Sequence, residues 1–296
     1  MKRLRALARD PRARAEASCC VLEGPRVIGA ALARGASVVD VYFGDGARPA
    51  FGPLVADLTR AGARLHDLKE GVLEKVGTTR TPQPVIAVVH WAPRAGIDAL
   101  ADLRDGLRDG CTLVAVDVTD PGNLGTIVRS AEAAGAAAVV VAGDAVDVSN
   151  PKAVRASAGG LFGVPIVVVP DAAAAIDALR GASIRCFGAV ARGGTSPAAL
   201  ALARGAAVAV GSEARGLDAG IVGRLDGTVT IPMVGAAESL NVAMAATILC
   251  FEAARQRADT AAVDTAEAGT TGTSAGASAG ASAGASVGAS WPGDPA

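Results

Sequence analysis

From Cys111 onward the chain alternates Val-rich runs with helical stretches, and the runs are apolar at nearly every position. "TLVAVDV" (112–118), "AAVVVAG" (137–143), "VPIVVV" (164–169), "IRCFGAV" (184–190), "GAAVAVG" (205–211) and "GTVTIPM" (227–233) read as strands. Residues 125–134, 150–160 and 171–180 between them read as helices. A strand wetted on one face alternates apolar and polar residues; a strand covered on both faces does not. The pattern therefore predicts an α/β fold, a parallel sheet with helices on both faces. Ligands in such sheets sit outside the carboxyl ends of the strands. That directs attention to the loops after residues 118, 190, 211 and 233.

Upstream, residues 17–91 read as a smaller α/β unit. "SVVDVYF" (37–43) and "PVIAVVH" (84–90) are its strands, 50–61 and 69–76 are helical, and "GTTRTPQP" (77–84) is a loop broken by prolines. The 296 residues divide into a basic N-terminal segment (1–14), a small domain (15–95), a polar linker (96–109), a larger domain (110–257) and a tail (258–296). The Ala/Ser/Gly run in the tail cannot bury enough surface to offset the entropy of ordering, so disorder is expected there. No apolar run approaches the roughly 20 residues of a membrane span, and the N-terminus lacks the apolar stretch of a signal peptide. A cytoplasmic protein is expected.

Composition narrows the chemistry. His66 and His90 are the only histidines, and the five cysteines form no Cys-x-x-Cys pair. A histidine-based metal site or a Ser-His-Asp triad has little material, and the cysteines read as small buried hydrophobes. Residues 1–95 hold 15 Lys and Arg against 9 Asp and Glu, whereas 96–257 hold 13 against 16. The basic third is either a footprint for nucleic acid or an ordinary solvated surface.

Three loops are candidates for chemistry, and each has a plain structural reading beside the functional one. "VDVTDPGNLGTIVRSAEAAG" (116–135) has a turn at Asp120-Pro121-Gly122 and Arg129 in the second turn of the following helix; an ordinary capped connection also explains it. It lacks the Gly-x-Gly-x-x-Gly spacing of a dinucleotide site. "VAVGSEARGL" (208–217) places Glu213 between Gly211 and Gly216, where a backbone can approach a ligand closely. "IPMVGAAESLNVAMAATILCFEAAR" (231–255) runs from an apolar strand, Ile231-Pro232-Met233, into a helix opening at Ser239-Leu240-Asn241. Ser239 or a neighbour can cap that helix. Asn241, expected in the first turn of an otherwise apolar helix, needs a partner for its amide, either a ligand or a facing loop.

Taken together, N-L-G-T-I-V-R (123–129), V-G-S-E-A-R-G-L (210–217) and I-P-M-V-G-A-A-E-S-L-N-V-A-M-A-A (231–246) resemble the three motifs of the SpoU class of RNA ribose 2′-O-methyltransferases, in the family's order. Residues 23–45 and 73–89 are similar to the family's N-terminal substrate-binding domain. The resemblance implies a C-terminal trefoil knot within about 188–255, preceded by a small α/β RNA-binding domain. It implies S-adenosyl-L-methionine as cofactor, held by Gly211, Ile231, Met233, Leu240 and Val242, with Ala191 and Arg192 beside them. It assigns Arg129 to catalysis, with Asn123, Glu213, Ser239 and Asn241 completing the site. A guanidinium stays protonated and is an awkward base, so positioning and charge stabilisation are the favoured role for Arg129. The same resemblance implies RNA contacts at Arg80, Arg129 and Arg155, although Arg155 also reads as part of a solvated helix face. It further implies a homodimer, no metal, and ribosomal RNA as substrate, with transfer RNA as the alternative. Methylation of a base, and RNA binding without catalysis, are the rival readings.

Overall fold

The structure, a computed structural model, describes residues 1–77 and 83–271. Residues 1–258 form one compact unit and residues 259–296 a second. Arg80 and residues 272–296 of the expected tail lie outside the described residues.

The N-terminal region holds α1 (Lys2–Arg9), α2 (Pro11–Ala17), β1 (Cys19–Glu23), α3 (Pro25–Ala33), β2 (Ser37–Phe43), α4 (Gly52–Arg60), β3 (Arg64–Asp67) and β4 (Val85–His90). Its four strands form a mixed sheet in the order β1-β4-β2-β3. The basic N-terminal segment is thus structural as well as charged. Leu4, Leu7 and Ala8 recur at helical spacing and bury one face of α1 against Val21, Ile86 and Val88. An eight-residue helix is too short to hold alone; burying Leu4 and Leu7, about 1.5–3 kcal/mol each, fixes it. Arg14 on α2 is buried and reaches Asp147 (2.6 Å), Ser149 (3.0 Å) and the Leu7 carbonyl (2.9 Å). This contact ties the N-terminal helices to the loop after Ala142, at the end of the third strand of the larger sheet.

The larger sheet comprises β5 (Arg94–Ala95), β6 (Cys111–Val116), β7 (Ala138–Ala142), β8 (Ile166–Val169), β9 (Arg185–Ala189), β10 (Ala206–Val210) and β11 (Gly227–Val229). All its pairings are parallel, in the order β11-β9-β10-β6-β7-β8-β5. The helices are α5 (Asp98–Asp102), α6 (Arg104–Arg108), α7 (Pro121–Ala133), α8 (Pro151–Ala156), α9 (Ala172–Gly181), α10 (Ala219–Val222) and α11 (Val242–Thr271). Alternate residues of each strand feed opposite cores. Leu113, Val139, Val208 and Val210 face Leu124, Ile127 and Val128 of α7, a cluster that continues into Leu22, Val41 and Phe43 of the smaller sheet. Val114, Val140, Ala207 and Ala209 face Ile176 and Leu179 of α9 and Leu107 of α6. Both faces are covered, as the unbroken apolar runs require.

Four expectations are corrected. Residues 69–76 form turns rather than a helix, with Gly71 at φ +72° interrupting them. The linker 96–109 carries α5 and α6, whose Leu100 and Leu107 are buried, and the edge strand β5 precedes it. Strand 227–233 ends at Val229, so Ile231-Pro232-Met233 is irregular chain. The last helix opens at Val242, beyond Ser239-Leu240-Asn241, and continues to Thr271. Among the described residues no helix is long and apolar enough to cross a membrane.

From β6 the chain steps through β7 and β8 on one side, then returns to lay β10 on the other. The loops leaving β6 and β10 therefore diverge, opening a crevice at their carboxyl ends. Behind it stands α7, pressed against α8 so tightly that a Cβ on Gly125 would lie 2.3 Å from the Ala153 carbonyl oxygen and 2.6 Å from the Ala156 Cβ. Gly125→Ala is expected to lower unfolding stability by about 1–3 kcal/mol, the usual cost of overpacking. Urea denaturation of the two proteins measures it; an unchanged midpoint would show that the helices separate freely.

Candidate functional site

The β6 loop enters α7 through Asp120, whose carboxylate accepts from the Asn123 backbone N–H at 2.9 Å. Lys152 holds the other oxygen of Asp120 at 2.8 Å, and this ammonium, with the Asn123 amide, keeps the carboxyl below its ordinary pKa. Asn123 is thereby fixed in the first turn, with its side chain turned toward the crevice. Its amide nitrogen donates to Glu213 of the β10 loop, and its amide oxygen accepts from the Asn241 side chain at 3.1 Å. The Asn241 oxygen in turn accepts from the backbone N–H groups of Ala243 (2.9 Å) and Met244 (3.3 Å). Asn241 is therefore the N-cap of α11. Of the two partners open to it from the sequence, the structure supplies the facing loop.

The β10 loop doubles back on itself. Gly216 N–H donates to the Ser212 carbonyl at 2.8 Å, and a Cβ on Gly211 would meet the Gly216 backbone at 2.1 Å. Only glycine at position 211 permits that return, and the return brings Glu213 to Asn123. The loop after β9 is held in the same manner against the end of β11. Thr195 donates to the Thr228 carbonyl and accepts from the Thr230 N–H, both at 2.9 Å. Gly194 N–H donates to the Thr230 hydroxyl, which donates to the Val190 carbonyl. Helix α11 docks on α7 through Ser130 and Thr247, whose hydroxyls lie 2.6 Å apart.

Between these loops lies a cavity of about 600 Å³, within the usual range for a small-molecule site. Ala191, Gly211, Glu213, Ile231, Met233, Ser239, Leu240, Asn241 and Val242, all singled out from the sequence, line it. Aliphatic side chains make much of its walls, and polar groups from Glu213, Ser239 and Asn241 converge among them. Arg192 is exposed and does not line it. Asn123 stands behind the wall, acting through Glu213 and Asn241. Arg129 is exposed on α7 outside the lining; among the described residues it forms no hydrogen bond or ion pair. Arg155 is not at the cavity: its guanidinium lies 3.7 Å from the buried Glu23 carboxylate at the end of β1. Sequence reasoning passed over Arg215 and Leu217, which also line the cavity. The signal for Arg215 was its place as the sole cation between Gly211 and Gly216.

Comparison with known proteins places these features in context. The SpoU rRNA Methylase family model matches residues 110–251, and the MRM3-like substrate binding domain model matches residues 1–87. The chain is 32% identical over 238 residues to the 23S rRNA (guanosine(2553)-2′-O)-methyltransferase RlmP of Bacillus subtilis, covering 80% of this chain and 89% of that protein. It is 38% identical over 182 residues to the 23S rRNA (uridine(2479)-2′-O)-methyltransferase of Streptomyces viridochromogenes, covering 60% and 61%. The crystal structure of the SpoU methyltransferase AviRb from Streptomyces viridochromogenes, in complex with the cofactor AdoMet, is similar with a TM-score of 0.73. It is 30% identical and covers 87% of this chain and 98% of that one.

The amide of Asn123 couples two loops, so its removal is expected to be felt at Asn241. A double-mutant cycle with Asn123→Ala and Asn241→Ala, read by urea denaturation, should give a coupling of about 0.5–1 kcal/mol, the low end for contacting side chains. Additive effects would show that the two residues act separately.

Proposed function

The chain belongs to the SpoU rRNA methylase family, and from that premise we propose that it transfers the methyl group of S-adenosyl-L-methionine to a ribose 2′-hydroxyl of ribosomal RNA. The observation that carries the reading is the convergence of three loops on the Asn123 amide beside an aliphatic-walled cavity at the sheet's switch point. The cavity fits the cofactor. Ile231, Leu240 and Val242 offer apolar surface to an adenine, and Gly211 keeps the loop backbone close. When bound, S-adenosyl-L-methionine supplies an electrophilic methyl on sulfonium, which needs no metal.

The residues around it hold and orient. Asn123 fixes Glu213 and the mouth of α11. Ser239, Glu213 and Asn241 present polar groups at the cavity. Arg129, exposed and without an internal partner among the described residues, holds an RNA phosphate and stabilises the charge that develops on the 2′-oxygen as its proton passes to solvent. The N-terminal region, similar to a substrate-binding domain, grips RNA with its basic surface. A ribosomal substrate also favours a cytoplasmic place of action.

A homodimer is part of the same reading. Met244, Ile248 and Phe251 are 61%, 43% and 50% exposed on α11. Their spacing of four and three residues sets them on one helix face. An apolar stripe of that kind on a soluble protein marks an interaction surface, and a second copy presenting the same stripe covers it.

Two measurements test the proposal. Labelled S-adenosyl-L-methionine is incubated with unmodified ribosomal and transfer RNA and the products are digested to nucleosides. Wild type should label a 2′-O-methyl nucleoside of ribosomal RNA, and Arg129→Ala should fall about 100-fold, about 2.7 kcal/mol of barrier. Label on a base, or an undiminished mutant, overturns the chemistry. For the assembly, light scattering should give twice the chain mass for wild type and the single mass for Phe251→Asp. A monomeric wild type would leave the stripe to some other partner.

A further inference from the structure

A second concavity, of about 160 Å³, opens between the N-terminal helices and the start of α8. Taking about 30 Å³ as the share of one water, it has room for about five waters or one hydrated phosphodiester group. Arg9, Arg14, Lys152 and Arg155 line it, together with Asn150. Four cations around one small concavity repel each other unless anions stand among them, and the protein supplies only part of that balance.

Arg14 forms the buried floor and uses its donors internally, on Asp147, Ser149 and the Leu7 carbonyl. Arg155 stands 3.7 Å from Glu23, an ion-pair distance. Among the described residues the Lys152 ammonium makes one contact, to Asp120 at 2.8 Å, whereas an ammonium carries three donors. Arg9 donates one group to the Lys75 carbonyl at 3.3 Å and meets no carboxylate among the described residues. Unused donors therefore face each other from α1 and α8. Lys2, Arg3 and Arg5 extend the positive charge along α1, which has no acidic residue.

The location ties this concavity to the methylation site. Asp120, held by Lys152, also fixes Asn123 through its backbone N–H. An anion seated at Lys152 is thus one residue removed from the amide that organises the cavity. We propose that this concavity is a subsite for a backbone phosphate of the RNA strand, clamped between Arg9 of α1 and Lys152 of α8. The proposal rests on the reading of the protein as an RNA methyltransferase. A strand anchored here enters the crevice in a fixed register, so the subsite selects which 2′-hydroxyl reaches the methyl donor.

The test is filter binding of 23S rRNA transcribed in vitro across a potassium chloride series, with methyl transfer measured on the same preparations. Arg9→Gln with Lys152→Gln should weaken binding about tenfold at fixed salt. The slope of log affinity against log salt should become shallower by about 0.7 for each phosphate of single-stranded RNA that is no longer neutralised. Arg9→Gln alone, at an exposed position that leaves the fold intact, should give part of both effects. Arg104→Gln, at an exposed position of α6 outside both the concavity and the N-terminal region, should match wild type. Wild-type affinity and slope in the double variant, with methyl transfer present, overturn the subsite and leave the enzyme reading standing. An equal loss in Arg104→Gln overturns it too, since diffuse surface charge then suffices. A wild type that neither binds nor methylates RNA overturns both.

Discussion

One side-chain amide organises the crevice. Asn123 binds Glu213, 90 residues further along the chain, and Asn241, 118 residues further. Each partner is brought within reach by its own segment. Glu213 rides on a loop that returns only because Gly211 has no Cβ, and Asn241 stands where irregular chain turns into α11. An amide offers both a donor and an acceptor, so one residue satisfies a carboxylate on one side and a second amide on the other. Aspartate at 123 would meet Glu213 with like charge, and leucine would offer nothing.

Close backbone contact is the second condition. α7 lies against α8 across Gly125, and Gly160 allows the following turn to approach the Cα of Arg129. The loop after β9 reaches the end of β11 across Gly194. At each point a missing side chain lets neighbouring chain approach closely. At Gly194 the polar groups there also pair with one another.

The sheet is legible in the sequence because burial on both faces leaves an unmistakable run of Val and Ala. Strand β2 can be read to its last residue, and β6 to β10 to within two residues at each end. Strands β1 and β3 escape that reading. "CCVLE" lacks a β-branched run and ends in a charge, and "RLHD" is polar, since β3 is an edge whose Arg64 and His66 serve Asp40. The cavity lining is legible through the resemblance, for most of its residues are backbone-shaped or aliphatic and carry no chemical signature of their own. Local pattern fails at the mouth of α11. Ile231-Pro232-Met233 has the composition of a strand but no neighbouring strand to pair with. Asn241 reads as part of the first turn because the apolar run after it masks its place as the cap. Arg192 lies outside the lining, since a place in the loop after a strand does not say which way the side chain turns.

The pairing of β10 with β6 joins Ala206 to Cys111, about 95 residues apart, and has a consequence for how the molecule is made. Parallel partners so far apart lose loop-closure entropy before any contact offsets it. Synthesis runs from the N-terminus, so β6, β7 and β8 emerge with one flank of β6 open and wait for the strand that closes it. The crevice does not exist during that wait. Asn123 is synthesised early but acquires its acceptor and its donor only when the last quarter of the structured chain arrives. Competence for chemistry and completion of the fold are then a single late event, and a ribosome-bound fragment ending before α11 carries the motif of an active site without the site.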